Sequence, residues 1–454
     1  MPFNRVLVAN RGEVAVRVIR ALHELDIEAV AVYSTADSES LHVRLADRAV
    51  CVGPPPAPES YLRIPSIVAA ADTTGCQAVH PGWGFLAENP AFAEACADND
   101  LVFIGPSPGV LARMGDKALA RDEMGAARVP LVPGTPPLGA DEAASAADEL
   151  GYPVLLKAAA GGGGKGMRLV GSANELGGAF ATASAEAEAS FGDGRLYLEK
   201  VIFPARHVEI QVVADAYGGV LTLGERECSI QRRHQKLIEE APSPALTPEL
   251  REEMETTVER ASQSIGYTSA GTFEFLLGPD GAFYFIELNA RLQVEHPVSE
   301  LVSGIDLVHE QVRIAAGEPL EQTGRADRRG HALEVRVNAE DPERGFLPAP
   351  GTVTRFRPPL GPGVRVDTHL EEGSVVPPYY DSLLAKVIVW APDRDRALAR
   401  ALRALNEFEV RGIPTTIGAA AQVIRSEGFA RGDYSTSYLE DVIGAPPTLA
   451  EAEA

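Results

Sequence analysis

With 454 residues, a formal net charge of −23, 45% hydrophobic and 23% charged residues, the chain has the composition of a globular protein and length for about three domains. Its acidity argues against nonspecific binding to nucleic acid or an anionic membrane, although a local basic pocket can still hold an anionic substrate. Its apolar runs, such as 387–390, are strand-sized rather than membrane-spanning, and Cys51, Cys76, Cys96 and Cys228 lack CxxC or Cys/His zinc spacing. Nothing at the N-terminus resembles a signal peptide, so a reducing cytoplasm is the expected location, with neither nucleic acid nor membrane as partner.

The chain opens with a strand-like VLVA at 6–9, then Asn10-Arg11-Gly12-Glu13, where Asn10 is expected to cap a helix and Glu13 to complete a capping box. Ala15, Val18, Ile19, Leu22 and Leu25 then repeat at helical spacing. Strand signals at 29–33, 78–79 and 102–104, with helical stretches between them, predict an α/β layer over about the first 110 residues. Proline and glycine at 129–139 predict a boundary. From 196 to 288 strands dominate, interrupted by a helix over 248–265. Beyond His331, short strands at 351–356 and 382–390 precede an amphipathic helix with Leu398, Leu402 and Leu405 on one stripe, and 446–454 reads as a frayed tail.

Chemistry is clearest at 272–298, TFEFLLGPDGAFYFIELNARLQVEHPV. Two alternating runs flank Gly278-Pro279-Asp280-Gly281, a four-residue turn, and pairing Leu277 with Ala282 would put Glu274 opposite Phe285. Glu274 and Glu287 then share a face as diagonal neighbours roughly 7–8 Å apart at the backbone. With the amide oxygen of Asn289 they form an oxygen-only set that suits Mg²⁺ or Mn²⁺. A solvated outer sheet face, with both carboxylates in water, is the alternative the hairpin alone leaves open.

In YPVLLKAAAGGGGKGMRLV, Lys157 precedes the glycine loop 161–166, which itself carries Lys165. Glycines let backbone N–H groups approach phosphate oxygens, and the lysines add positive charge; the pattern is not a Walker loop, and a plain connector is the alternative. The strand 206–214 alternates, with His207, Glu209 and Gln211 on a polar face that a site could use or that could simply be solvated. Residues 228–244 concentrate Arg232, Arg233, His234 and Lys236, a cluster suited to phosphate or bicarbonate if it is not a solvated charge run.

Together these phrases resemble the biotin carboxylase family, the ATP-grasp component of biotin-dependent carboxylases, over about residues 3–445. They are VLVANRGEVAVRVIRA, HPGWGFLAEN, MGDK, KAAAGGGGKGMR, LEK, RHVEIQV, CSIQRRHQKLIEEAPS, GTFEFL, IELNARLQVEHPVSE and LEVRVNAEDP, in order. The family often has Tyr in place of Trp83 and Arg in place of Lys165, and positions 290 and 292 vary; none of these removes a group assigned to chemistry. The resemblance implies an α/β and α+β chain with an ATP-grasp fold. Its expected parts are an N-terminal Rossmann-like domain at 1–112, an ATP-grasp domain at 113–330 with a mobile lid at about 129–202, a β-rich C-terminal biotin carboxylase domain at 331–446, and a tail at 447–454.

By the same resemblance, ATP is met by Lys117, Lys157, Gly162, Gly163, Gly164, Lys165, Gly166, Glu199, Lys200, His207, Gln231, His234 and Leu276. Glu274, Glu287 and Asn289 hold Mg²⁺ or Mn²⁺. Lys236, Arg291, Gln293 and the Val294 backbone form the bicarbonate pocket, Glu295 is the general base, and Arg336 stabilises the biotin enolate, so Glu295, Arg336, Arg291 and Lys236 carry catalysis. The implied reaction carboxylates biotin through carboxyphosphate, as the first half-reaction of acetyl-CoA or another acyl-CoA carboxylase. No Met-Lys-Met attachment motif occurs, so the implied partners are a separate biotin carboxyl carrier protein and a carboxyltransferase subunit, with the chain itself a homodimer. The alternatives are another ATP-grasp ligase that forms an acylphosphate or carbamoyl phosphate, the N-terminal part of a larger carboxylase, and a catalytically silent nucleotide-binding subunit.

Overall fold

The chain begins by alternating strand and helix, and the strands Arg5–Val8, Glu28–Ser34, Arg48–Gly53, Ala78–His80 and Val102–Phe103 all pair in parallel. The computed structural model describes residues 3–159 and 167–444. Parallel strands require crossovers, which the helices Gly12–Glu24, Ile64–Thr74 and Pro90–Asp98 supply among other segments. Arg48–Gly53 was invisible to periodicity because it lies at the sheet edge and buries only Val52. Strand order reverses beside Arg5–Val8, where open parallel sheets form a crevice at the strands' carboxyl ends. There the expected cap differs: Arg11 occupies the N-cap without a side-chain bond, and Gly12 turns the chain at φ +69°. Asn10 instead donates to the carbonyls of Pro81 at 2.7 Å and Trp83 at 2.8 Å, tying the two loops of the crevice together.

The second sheet has nine strands. From one edge it runs Phe283–Asn289, Ser269–Leu277, Arg206–Ala214, Val220–Arg232, Gln235–Ala241, His331–Asn338, Leu383–Ala391 and Val364–Thr368, each antiparallel to the next, with Gly324–Arg325 parallel beside Val220–Arg232. The strands beyond His331 therefore extend the same sheet. Val208, Ile210, Val212, Phe273 and Phe275 bury one face with Met254, Val258 and Ala261 of the helix Pro248–Ile265. That helix starts where Thr247 accepts the Leu250 N–H and Pro248 fills the first turn, and it stops at Gly266 in left-handed conformation. The other face carries charge and is covered in part by the helix His296–Ser303, whose Ser299 meets Arg226.

A three-stranded sheet of Arg168–Val170, Val154–Ala158 and Leu196–Lys200 packs on the helices Ala140–Leu150 and Ala173–Phe191 around its own core, including Ala147, Leu156, Leu176 and Leu198. The 129–139 segment is paired at both ends rather than free: Phe285 donates its N–H to Pro130 at 2.8 Å, and Thr135 to Leu198 at 2.9 Å. The glycine loop 161–166, including Gly162, Gly163, Gly164, Lys165 and Gly166, lies outside the described residues, as does the predicted tail. No helix among the described residues is long and apolar enough to cross a membrane.

Remote segments are pinned by buried ion pairs. Glu240 accepts from Arg394 Nε at 2.7 Å, Arg394 Nη2 at 2.9 Å, the His331 ring at 2.6 Å and the Tyr434 hydroxyl. Burial opposes its charge, but His331 and Arg394 bring its pKa down to about 2. Its contribution is therefore complete above the ordinary glutamate pKa of about 4.5 and is lost as pH falls toward about 2. Glu240→Gln should destabilise the chain at pH 7 by about 3–5 kcal/mol, as breaking a buried pair does. Urea unfolding should show the gap to the parent narrowing below pH 4.5; a gap independent of pH would refute the pairing as its cause.

Candidate active site

The polar face of the large sheet converges on Lys236. Its ammonium lies 2.6 Å from Glu209, 2.8 Å from Glu274 and 2.6 Å from Glu295. Burial acts against this cation, but the three carboxylates hold its pKa well above the ordinary lysine value. Lys236 follows the tight turn Arg233-His234, both left-handed at φ 48° and 66°, which joins two adjacent strands as paired positive-φ residues do in short hairpins. Beneath it, fully buried Arg226 donates to Glu209, to Gln211 at 2.6 Å, to Ser299 at 2.9 Å and to Thr272 at 3.0 Å. The solvated-face alternative for Glu209 and Gln211 is thus overturned, because a second layer covers them.

Glu295 is fully buried between two cations, Lys236 at 2.6 Å and Arg336 Nη2 at 2.8 Å. Burial raises the energy of its charge, yet Lys236, Arg336 and Arg226 outweigh that and hold its pKa well below normal. Arg336 also donates to Glu239 at 2.6 Å, and burial pushes the Glu239 carboxyl up to about 7 against the pull of that guanidinium.

The hairpin register differs from the sequence expectation. Leu277 pairs with Phe283, and a bulge at Ile286 places Glu274 directly opposite Glu287 instead of Phe285. Asn289 lies two residues beyond Glu287 on the same face. Glu274 is held by Lys236, by Gln293 Nε2 at 3.1 Å and by the His207 ring at 3.0 Å; burial opposes its charge, but Lys236 and His207 lower its pKa. Glu287 has no ion-pair partner among the described residues, and burial and Glu274 raise its pKa. Two opposed carboxylates, one without an ion-pair partner among the described residues, with an amide oxygen alongside, fit a hard divalent cation.

Arg291 donates to Asn289 Oδ1 at 2.9 Å, to Gln293 Oε1 at 3.1 Å and to Glu88 at 2.8 Å. Across the cleft of about 520 Å³, Lys157 pairs with Glu199 at 2.6 Å, and Lys117 stands near Glu287, whose charge offsets part of its burial penalty. Leu276 faces the site from beside His207, Gln231 pairs in register with Lys236, His234 is exposed at the turn, and Lys200 is exposed at the end of its strand. Sequence reasoning missed Glu88, Arg226 and Glu239 as site builders and left Glu209 open; Glu88 stands within the HPGWGFLAEN phrase and Glu239 within QKLIEE.

Residues 2–111 match the biotin carboxylase N-terminal domain, 116–323 the ATP-binding domain of the carbamoyl-phosphate synthase L chain, and 334–441 the biotin carboxylase C-terminal domain. The chain is 52% identical to the biotin carboxylase of Nostoc sp., covering 97% of this chain and 100% of that protein. The crystal structure of Campylobacter jejuni biotin carboxylase, a β-γ-ATP complex, is similar with a TM-score of 0.94 at 45% identity, covering 97% of this chain and 99% of that one. The biotin carboxylase domain dimer of Hydrogenobacter thermophilus 2-oxoglutarate carboxylase, solved with MgADP, ADP and bicarbonate, gives 0.93 at 47% identity, covering 98% and 99%. Fold and relatives thus define an ATP-dependent ligase of the ATP-grasp class. The chain belongs to the biotin carboxylase family.

Glu287→Gln should weaken the gain in nucleotide affinity that a divalent cation confers by about 10–100-fold, while metal-free nucleotide binds as in the parent. Calorimetry with ADP, with and without Mg²⁺, reads this directly; an unchanged metal effect would remove Glu287 from the cation site.

Proposed function

We propose that this chain uses MgATP and bicarbonate to carboxylate biotin presented by a separate carrier protein. The observation that carries the reading is the continuous chain Arg336–Glu295–Lys236–Glu274, which joins a base, its cations and a paired-carboxylate cation site on one sheet face. Lys117, Lys157, the 162–166 loop, Glu199, Lys200, His207, Gln231, His234 and Leu276 are the proposed nucleotide positions. Mg²⁺ or Mn²⁺ bound by Glu274, Glu287 and Asn289 would supply charge neutralisation on the phosphate oxygens. Bicarbonate sits against Lys236, Arg291, Gln293 and the Val294 amide, where the guanidinium fork matches its planar oxygens.

A base whose pKa is held so low is weak, and the geometry suggests how it is strengthened. Bicarbonate that takes up Lys236 weakens the field on Glu295, raising its proton affinity as the proton is presented. Glu295 takes that proton, bicarbonate oxygen attacks the γ-phosphorus, and ADP leaves carboxyphosphate behind. Carboxyphosphate then yields CO₂ and phosphate, the phosphate takes the ureido N–H proton, and Arg336 steadies the enolate oxygen while the deprotonated ureido nitrogen attacks CO₂. The unit at about 129–202, with its own core, would close as a body over the intermediate and exclude water.

The proposed division is 1–112, 113–330 and 331–446, although the last two share a sheet. The carbamoyl-phosphate alternative has its support in the middle segment alone, whereas Arg336, on a strand of the third, grips Glu295. Relatives named for different carboxylases are similarly close, at 52% and 47% identity, so the choice of final acceptor, acyl-CoA or 2-oxo acid, is assigned to a carboxyltransferase partner. Homodimerisation and a reducing cytoplasmic setting complete the reading; a dimer is seen for the Hydrogenobacter domain, and all four cysteines are unbridged.

With MgATP, bicarbonate and free biotin, the purified chain should form carboxybiotin slowly, and a biotinylated carrier should be the better acceptor because remote contacts help place the ureido ring. Arg336→Ala should lose carboxybiotin far more than biotin-independent ATP cleavage. Absence of carboxybiotin with either acceptor, together with carbamoyl phosphate formation, would transfer the chain to the alternative. Glu295→Gln should lose bicarbonate-dependent ADP release by at least about 100-fold yet still bind ATP, since the amide cannot accept the proton; parental turnover at saturating bicarbonate would exclude Glu295 as base.

A further inference from the structure

Lys386 and His296 are both fully buried, and no step of the proposed reaction uses either. Lys386 lies on the strand Leu383–Ala391, opposite Arg336 on one neighbouring strand and Asp367 on the other. Its ammonium donates to the Val294 carbonyl at 2.9 Å and lies 3.2 Å from Glu13 and 3.7 Å from Asp367. Burial opposes this charge, but Glu13, Glu334 and Asp367 raise the lysine pKa, so the ammonium persists. Glu13 in turn accepts from the indole N–H of Trp83 at 3.1 Å, which anchors the arrangement to the N-terminal layer.

One residue earlier, the Gln293 carbonyl lies 2.7 Å from His296 Nδ1. Burial, Lys386, Arg17 and Arg365 keep this ring neutral, so the nitrogen facing a carbonyl must carry the proton. The two peptide planes on either side of Val294 are thus gripped separately. The cis peptides among the described residues all precede proline, so both planes are trans, and each N–H points opposite its carbonyl. Fixing the Gln293 carbonyl aims the Val294 N–H away from His296, and fixing the Val294 carbonyl sets the plane from which Glu295 departs.

We propose that Lys386 and His296 are positioning residues that clamp the Gln293 and Val294 carbonyls and thereby aim the Val294 amide and the Glu295 carboxylate at bicarbonate before it arrives. This rests on the bicarbonate reading given above. An ammonium on a carbonyl is a charge-assisted bond, and preorganised donors need no reorganisation when the anion binds.

The test measures bicarbonate-dependent ADP release in Lys386→Met, His296→Phe and the charge-balanced double variant Glu13→Gln/Lys386→Met, with Arg291→Lys as control. In the clamp variants kcat/KM for bicarbonate should fall about 10–100-fold, the worth of one hydrogen bond to a charged group, while KM for MgATP stays at the parental value. A folded Lys386→Met with parental bicarbonate kinetics overturns the proposal, as does an equal loss toward both substrates, the mark of general damage. If the clamp variants and Arg291→Lys all leave bicarbonate kinetics unchanged, the bicarbonate reading falls and takes the proposal with it. Hydrogen exchange of the ligand-free parent decides the matter should the variants not fold. Amides over 291–296 should already be protected; exchange at exposed-loop rates that slows only with bicarbonate would overturn preorganisation.

Discussion

The ammonium of Lys236, surrounded by the carboxylates of Glu209, Glu274 and Glu295 in a nearly water-free layer, is the contact on which the rest of the site depends. Removing such charges from water costs several kcal/mol per ion, and each must find its partner nearby or the layer would not close. The partners come from successive strands of one sheet: Glu274, Glu209, Arg226, Lys236 with Glu239, and Arg336. A continuous nine-stranded sheet is the direct way to hold them in a row, which accounts for strands beyond His331 joining strands near 206. Such clusters are weak evidence of stability, since packed apolar groups would do as well. Their value here is chemical.

In the resting arrangement several of the strong groups are occupied by one another. Glu295 is neutralised by Lys236 and Arg336, Arg291 by Glu88 with hydrogen bonds to Asn289 and Gln293, and Lys157 by Glu199. A carboxylate held at so low a pKa is a poor base toward water, so under the proposed mechanism the closed set of pairs would disfavour idle cleavage of ATP. In the proposed mechanism each substrate replaces one internal partner: the anion takes Lys236, and the enolate takes Arg336. Each arrival would thereby change the proton affinity of Glu295.

Much of this was legible in sequence where the information is local. Alternation found the 206–214 strand, helical periodicity marked the helix Pro248–Ile265, and ordered phrases gave the family. The hairpin register was missed because the bulge at Ile286 inserts one residue, and period-2 counting has no signal for an insertion. The edge strand Arg48–Gly53 was missed because it buries little. Glu209 and Gln211 were ambiguous because an alternating strand looks the same whether its polar face meets water or a second layer. Pairs such as Lys236 with Glu295, Arg336 with Glu239 and Lys386 with Val294 join residues far apart in the chain, and only the fold brings them together.

The masked base is the most exposed claim, and infrared difference spectroscopy between the ligand-free parent and Glu295→Gln reads it directly. If Lys236 and Arg336 hold Glu295 as described, no protonated-carboxyl band assignable to it appears as pH is lowered through the ordinary glutamate pKa of about 4.5. With bicarbonate and a nonhydrolysable ATP analogue bound, the same band should appear at higher pH than in the free chain. A Glu295 band that rises near or above the ordinary pKa in the free chain, unchanged by the two ligands, would contradict the account.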